Sequence, residues 1–242
     1  FADLFYLDPD NVVSIRKQSE HFNIWNAPSD DSYTNTLNDN AEEAFTGFLD
    51  SLDMQIPHTL DLVVYPSLCS YHHSVGVEEC NPNSIGGGVG ISIFQMVTPS
   101  DLERSLDQMI WLMKHELAHV VQFNIKPRFM PAWLSEGFAT FMPTGPIQGD
   151  LMDQMRPQLL NHLDELANSA DGLPDYDQIG DYEYTRTHNI NYYLIGQVMV
   201  DWLVKKQGYL DLKPFIRSLG QDVGIYGYDS KQAFMDAFYN WV

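Results

Sequence analysis

Two histidines and a glutamate near the middle of the chain have the types and spacing of residues that hold and use a metal ion. His115 and His119 are four positions apart, so on a helix both side chains project from one face and can share a metal. Glu116 lies between them and is suited to accept a proton from a water molecule that the metal activates. The segment therefore predicts a zinc-binding helix with Glu116 as general base.

A second segment, Trp-Leu-Ser-Glu-Gly-Phe-Ala at Trp133–Ala139, offers a third ligand in Glu136. Catalytic zinc sites use three protein ligands and leave a fourth position open for water. Pro127 should end the histidine helix, and Pro131 suits the first turn of the next one. An antiparallel helix pair of this kind could bring Glu136 to His115 and His119. We therefore expect one catalytic Zn²⁺ as cofactor.

The bulk composition narrows the possible partners. The chain has 242 residues, 44% of them hydrophobic, which is enough to bury a core in one domain or two packed subdomains. Its formal net charge of −20 opposes binding to nucleic acid or to anionic membranes. No apolar run reaches membrane-spanning length. We expect no nucleic-acid partner, no membrane insertion and a monomer.

The two cysteines, Cys69 and Cys80, lie in a segment rich in Ser, His, Asn and Pro. A disulfide that closes this short loop is plausible, and together with the acidity and the low lysine content it suggests a secreted or otherwise extracytoplasmic protein. Two free thiols in a cytosolic protein are the alternative. Metal binding by the cysteines with His72 and His73 matches no common zinc spacing, and a surface loop is the expected place for these histidines.

Hydrophobic patterning predicts an α+β fold with a mixed α/β part at 1–97 and a mostly helical part at 98–242, together one catalytic domain. The expected strands are 21–25, 60–65 and 89–94, the last entered through the glycines at 86–88. The expected helices are 35–52, one from a capping box at 100–103 to Pro127, one from Pro131 to Pro143, 151–167, 189–207, 212–219 and 231–238.

The two motifs together resemble those of the gluzincin metallopeptidases, in particular the zinc aminopeptidases and small peptidase MA-like domains. The resemblance covers about 30 residues and implies a zincin-like fold with a small mixed sheet packed on the histidine helix. Tyr-x-x-Gly at Tyr193–Gly196 is similar to a motif of the same families. The resemblance implies that the hydroxyl of Tyr193 stabilises the oxyanion of the tetrahedral intermediate. Tyr192, Tyr184 and His188 are alternatives for this role, the last as in thermolysin-like enzymes.

Two departures from related patterns bear on the substrate. Position 125 is Ile, so the third histidine of the metzincins is absent. The strand that carries the amine-anchoring glutamate of the aminopeptidases corresponds to 86–95, which contains no acidic residue. This strand, at Gly88, Val89, Gly90 and Ile91, can still pair with an extended substrate backbone.

The motifs and the resemblance thus favour a zinc endopeptidase that acts on a peptide or protein substrate. The open alternatives are an aminopeptidase, a zinc-containing but catalytically silent module that binds peptides or glycoproteins, and a zinc hydrolase that acts on something other than peptides. A glycoprotein substrate is also compatible with the motifs, because mucin-directed zinc peptidases share a loosely spaced gluzincin pattern.

Overall fold

The computed structural model describes residues 13–76, 87–98, 104–145 and 150–242. The fold is mixed α+β, as predicted. Two compact units are distinguished: the first extends to Asn124, and the second begins at Ile125 and also includes Ser51–Asp53. All strands that are described lie in the first unit, and the second is built from helices.

The first unit contains one mixed sheet of five strands in the order β1-β2-β3-β5-β4. The strands are β1 (Ser14–Gln18), β2 (Phe22–Asn26), β3 (Leu60–Tyr65), β4 (Gly87–Val89) and β5 (Ile93–Val97). The three inner strands β2, β3 and β5 run parallel, while β1 and β4 pair antiparallel at the two edges. Parallel strands are covered on both faces, which explains why β3 is almost continuously apolar.

Helix α1 (Asp31–Ser51) supplies apolar cover for one face of this sheet. The ring of Phe22 in β2 makes edge contacts with Phe45 of α1 at 5.4 Å and with Phe94 of β5 at 6.1 Å. A second apolar cluster combines strand residues with helix α2 (Leu68–Ser74). Its buried members are Val13, Val63, Tyr65, Leu68, Tyr71 and Val97.

Helix α3 (Leu106–Ile125) is the predicted histidine helix, and it ends before Pro127. Its buried face includes Met109, Met113 and Leu117. At its last turn the side-chain amide of Asn124 donates a hydrogen bond of 2.7 Å to the carbonyl oxygen of Ile91. This bond holds the connection between β4 and β5 at the end of the histidine helix.

The second unit has six helices among the residues described. They are α4 (Ala132–Thr144), α5 (Asp150–Ala167), α6 (Tyr182–Thr187), α7 (Tyr192–Gln207), α8 (Leu212–Arg217) and α9 (Lys231–Trp241). Trp133 of α4 is completely buried, with its ring centroid 5.5 Å from that of Tyr176 and 6.2 Å from those of Phe215 and Phe234. This aromatic core anchors the helix that carries Glu136.

Most predicted elements are present, and two predictions are corrected. Residues 89–94 do not form one strand, because the chain turns at Gly90–Ser92 and makes the β4–β5 hairpin. Residues 68–74 form α2 rather than a loop, since Ser67 caps the helix by accepting from the Ser70 backbone amide, and His72 is buried. The capping box at 100–103 lies outside the described residues. In the described part of the chain, no helix has the length and apolarity needed to cross a membrane.

Candidate metal centre

Helix α3 presents both histidines on one face, as the spacing predicts. His115 and His119 are 5% and 7% exposed, and their ring centroids are 4.9 Å apart with the planes nearly perpendicular. One turn earlier, the half-exposed indole of Trp111 lies 5.4 Å from the imidazole of His115. The two imidazoles are therefore confined by packing before any metal arrives.

Gln122 is a direct partner of one of these histidines. Its side-chain oxygen Oε1 lies 2.9 Å from Nδ1 of His119, and the glutamine is completely buried. An amide oxygen can only accept, so Nδ1 carries the proton and Nε2 keeps a lone pair. The hydrogen bond thus presents His119 in the tautomer that can bind a metal through Nε2.

Glu116 is also buried, at 8% exposure, on the same helix. Burial and the negative charge of Glu116 together raise the pKa of Tyr71, in helix α2, above its ordinary value. A buried carboxylate next to the candidate ligands is well placed to accept a proton from a neighbouring group.

Helix α4 carries Glu136 in a half-buried position. The hydroxyl of Tyr182, from α6, donates a hydrogen bond of 3.1 Å to Oε1 of Glu136. Desolvation and the negative charge of Glu136 raise the pKa of Tyr182, so this phenol stays protonated and remains a donor. The tyrosine thus holds one oxygen of this carboxylate.

His115, His119 and Glu136 form a group that could hold a metal ion. Each offers one ligand atom, and these atoms all lie within 4.8 Å of one another. Two imidazoles and one carboxylate are a ligand set of catalytic zinc sites that keep a fourth position open. The chemistry of the donors therefore fits Zn²⁺.

Tyr193 lies in the first turn of α7 with its side chain about half exposed. Desolvation, followed by the charge of Glu136, raises its pKa, so its hydroxyl is a permanent hydrogen-bond donor at neutral pH. The ring of Tyr192 stacks on Tyr193 at 4.7 Å and meets Tyr182 edge-on at 5.5 Å. Three tyrosines thus lie close to Glu136, and the hydroxyls of Tyr192 and Tyr193 are hydrogen-bonded to each other.

A close crossing of α4 and α7 explains how Glu136 and Tyr193 are held in one place. A Cβ added to Gly196 would collide with the carbonyl oxygen of Trp133, and one added to Gly137 would collide with the backbone of Gly196. Only glycine at both positions permits this backbone contact. Gly137 adjoins Glu136, and Gly196 is one turn from Tyr193, so the crossing sets the distance between the two functional side chains.

His188, the alternative to Tyr193, ends helix α6 and has other contacts. Its Nδ1 lies 2.9 Å from the carbonyl oxygen of Tyr184, on whose ring the imidazole stacks at 3.9 Å. Its Nε2 lies 3.6 Å from a carboxylate oxygen of Asp171. Both ring nitrogens of His188 therefore have neighbours, and the choice of oxyanion donor among Tyr193, Tyr192, Tyr184 and His188 stays a prediction.

The predicted substrate-binding residues divide between strand and turn. Gly88 and Val89 lie in the edge strand β4, whereas Gly90 and Ile91 lie in the turn that follows. Of the two cysteines, Cys69 lies in α2 and Cys80 is outside the described residues. The disulfide between them stays a prediction.

Sequence reasoning missed two partners of the candidate ligands. Gln122 could have been found, because it follows His119 at the i,i+3 spacing of neighbours on a helix. Tyr182 gives no such signal, since its contact with Glu136 spans 46 positions and depends on how α6 packs.

Comparison with models of protein families gives no match, and comparison with curated proteins gives no match either. The likeness to gluzincins therefore rests on the two motifs and on the residues gathered around them.

Proposed function

We propose that this protein is a zinc-dependent peptidase of the gluzincin type with a zincin-like fold. The observation that carries the proposal is the group of His115, His119 and Glu136, whose ligand atoms lie within 4.8 Å of one another, with the buried Glu116 next to the first histidine. A purely structural zinc site is normally closed by four protein ligands and needs no adjacent base. Three ligands and a buried carboxylate favour catalysis.

Each residue has a distinct part in the proposed reaction. A zinc ion at the three ligands would lower the pKa of a water molecule and polarise the scissile carbonyl. Glu116 would take the proton of that water and pass it to the leaving amine. The Tyr193 hydroxyl, kept protonated by its surroundings, would donate to the oxygen on which negative charge develops.

Internal cleavage is the favoured mode of action. The edge strand β4 can extend the sheet by pairing with a substrate backbone, a contact that is independent of substrate sequence. The hairpin strands β4 and β5, at 87–89 and 93–97, contain no carboxylate to anchor a free amino terminus. We therefore propose an endopeptidase, and an extracytoplasmic location remains part of the proposal.

Glu116→Gln tests the proposal, because the amide is isosteric but cannot act as a base. Wild type and variant are loaded with Zn²⁺, assayed for metal content and incubated with a diverse peptide mixture, and the products are identified by mass spectrometry. We expect chelator-sensitive internal cuts by the wild type, and a variant that keeps stoichiometric zinc but loses at least about 100-fold in rate.

Three other outcomes of this experiment would revise or overturn the proposal. Loss of single N-terminal residues would replace the endopeptidase by an aminopeptidase. Stoichiometric zinc in the wild type without cleavage of peptides or folded proteins would favour the silent binding module. A wild type that binds no zinc would overturn the proposal.

A further inference from the structure

Gln122 is the one side chain on the histidine helix that is both completely buried and hydrogen-bonded to a candidate metal ligand. On a helix with an apolar buried face, a glutamine replaces a hydrophobic residue at a cost unless its amide is satisfied. Its position three residues after His119 places Oε1 2.9 Å from Nδ1 of that imidazole. A buried polar residue in this place calls for a reason beyond packing.

We propose that Gln122 is a positioning residue that selects the tautomer and ring orientation of His119 for metal binding; this inference rests on the proposed zinc site. Because Oε1 accepts only, Nδ1 of His119 must hold the proton and Nε2 must face the metal. Without this acceptor, the neutral imidazole would divide its population between two tautomers, and one of them cannot bind through Nε2. Partners of this kind typically change metal affinity by about 10–100-fold.

An amide at position 122 differs from a carboxylate in that it adds no buried charge beside His119. Glu116 and Glu136 already bring two carboxylates to this region of the sequence and structure. A third, buried at position 122, would increase electron donation through His119 but would have to be desolvated in the metal-free protein. Gln122 therefore orients the ligand without adding charge, and a carboxylate here should favour the metal-bound form over the metal-free form.

Two substitutions distinguish a positioning role of Gln122 from a packing role. A positioning role predicts weaker zinc binding by Gln122→Met than by Gln122→Glu, whereas a packing role predicts the reverse. Gln122→Met keeps the length and bulk of the side chain but has no acceptor for Nδ1. Gln122→Glu keeps an acceptor but introduces a buried charge. Zinc affinity is measured at pH 7.5 by competition with a chromophoric chelator, and thermal unfolding of the metal-free proteins gives the packing effect separately.

If Gln122 positions His119, Gln122→Met weakens zinc binding by about 10–100-fold, while Gln122→Glu binds zinc at least as tightly as the wild type. Gln207→Met, the same change at an exposed position at the end of α7, leaves the zinc affinity unchanged. A Met variant within threefold of the wild type, or a Glu variant that binds zinc more weakly, would overturn the inference. If Gln122→Met does not fold, the affinity of Gln122→Glu decides. A wild type without zinc affinity contradicts the proposed function itself, which is a different result.

Discussion

The helices that supply the candidate ligands, α3 and α4, hold them in different ways. On α3 the two histidines are buried, and a neutral amide fixes one of the imidazoles. On α4 the glutamate is half-buried and is held by a phenol, with two more tyrosines close by. The first helix isolates its ligands from solvent, and the second keeps its ligand near an open, aromatic surface.

The proposed function places different requirements on the two helices. On α3, a zinc site would need a defined tautomer and a low exposure of the imidazoles, because an imidazole that takes up a proton no longer binds metal. On α4, the tyrosines whose pKa values are raised by desolvation and by Glu136 would have to remain accessible to a substrate. Variants that alter one helix at a time test this distinction.

The largest effect is expected from removing a ligand on the buried side. His119→Ala deletes one of only three protein ligands, and we expect zinc affinity to fall by at least about 1000-fold, well beyond the loss from an outer partner. Zinc content after dialysis against a weak chelator measures it. The matched control is His73→Ala, an exposed histidine of α2, which should keep stoichiometric zinc. Equal zinc retention in both variants would contradict the ligand role.

Removing the tyrosine donor should affect rate and leave the metal in place. Tyr193→Phe deletes only the hydroxyl, and loss of one oxyanion donor lowers kcat by about 100–1000-fold. Steady-state kinetics on a cleaved peptide, with zinc content measured in parallel, tests this. Tyr192→Phe, the stacked neighbour, should retain most of the activity. A larger loss in Tyr192→Phe than in Tyr193→Phe would exchange the roles of the two tyrosines.

Separating α4 from α7 at the contact between Gly137 and Gly196 should lower the free energy of unfolding. Gly196→Ala forces α4 and α7 apart, and overpacking of this kind costs about 1–3 kcal/mol or more in the free energy of unfolding. Gly47→Ala is the control, because a Cβ at this position in α1 meets nothing within 4 Å and alanine favours a helix. Thermal unfolding should show a lowered midpoint for the first variant and an equal or higher midpoint for the second.

Removing the phenol that holds Glu136 should have a moderate effect. Tyr182→Phe leaves Oε1 of Glu136 without this donor, so we expect zinc affinity to fall by about 10-fold. Chelator competition measures the affinity, with Tyr184→Phe, a tyrosine of α6 that stacks on His188, as control. An unchanged affinity would mean that the half-buried ligand is oriented by the α4–α7 packing alone.

The smallest expected effect is a pH dependence of the free energy of unfolding, caused by His162, which contacts the start of α7. Nε2 of His162 accepts a hydrogen bond of 2.9 Å from the backbone amide of Asn191, and desolvation lowers the pKa of His162. Above about pH 6.5 the imidazole is neutral in both folded and unfolded chains. Below that pH the unfolded chain takes up a proton first, so stability should fall, by less than about 1 kcal/mol because the ring is partly exposed.

Urea unfolding of the wild type at pH 7.5 and at pH 5.5 measures this dependence. His162→Gln keeps an acceptor but does not titrate, so its midpoint should change less between the two pH values than that of the wild type. An equal change in both proteins would assign the dependence to other groups.

The sequence predicted the parts of this molecule that depend on local spacing. The histidines of α3, the strand β3 and the Gly208 end of α7 follow from periodicity and from turn residues, and the structure has all three. The β4–β5 hairpin was missed because Gly90 allows a turn in an otherwise strand-like run. Tyr182 was missed because its contact with Glu136 depends on long-range packing that no local pattern encodes.

The candidate site shows the same contrast between features set by local spacing and features set by long-range packing. His115, Glu116 and His119 lie within five positions, so their shared helix face was predictable. The roles of Gly137 and Gly196 were not, because a sequence shows two small residues but not that their backbones touch. Such contacts are a property of the assembled helices.

The backbone contact at Gly137 and Gly196 also has a mechanical consequence. Where helices meet through side chains, rotamer changes let them slide; here the main chains themselves are in contact, and there is nothing between them to rearrange. Helices α4 and α7 should therefore move as one rigid body. In the proposed peptidase, Glu136 and Tyr193 would therefore move together and keep their mutual alignment.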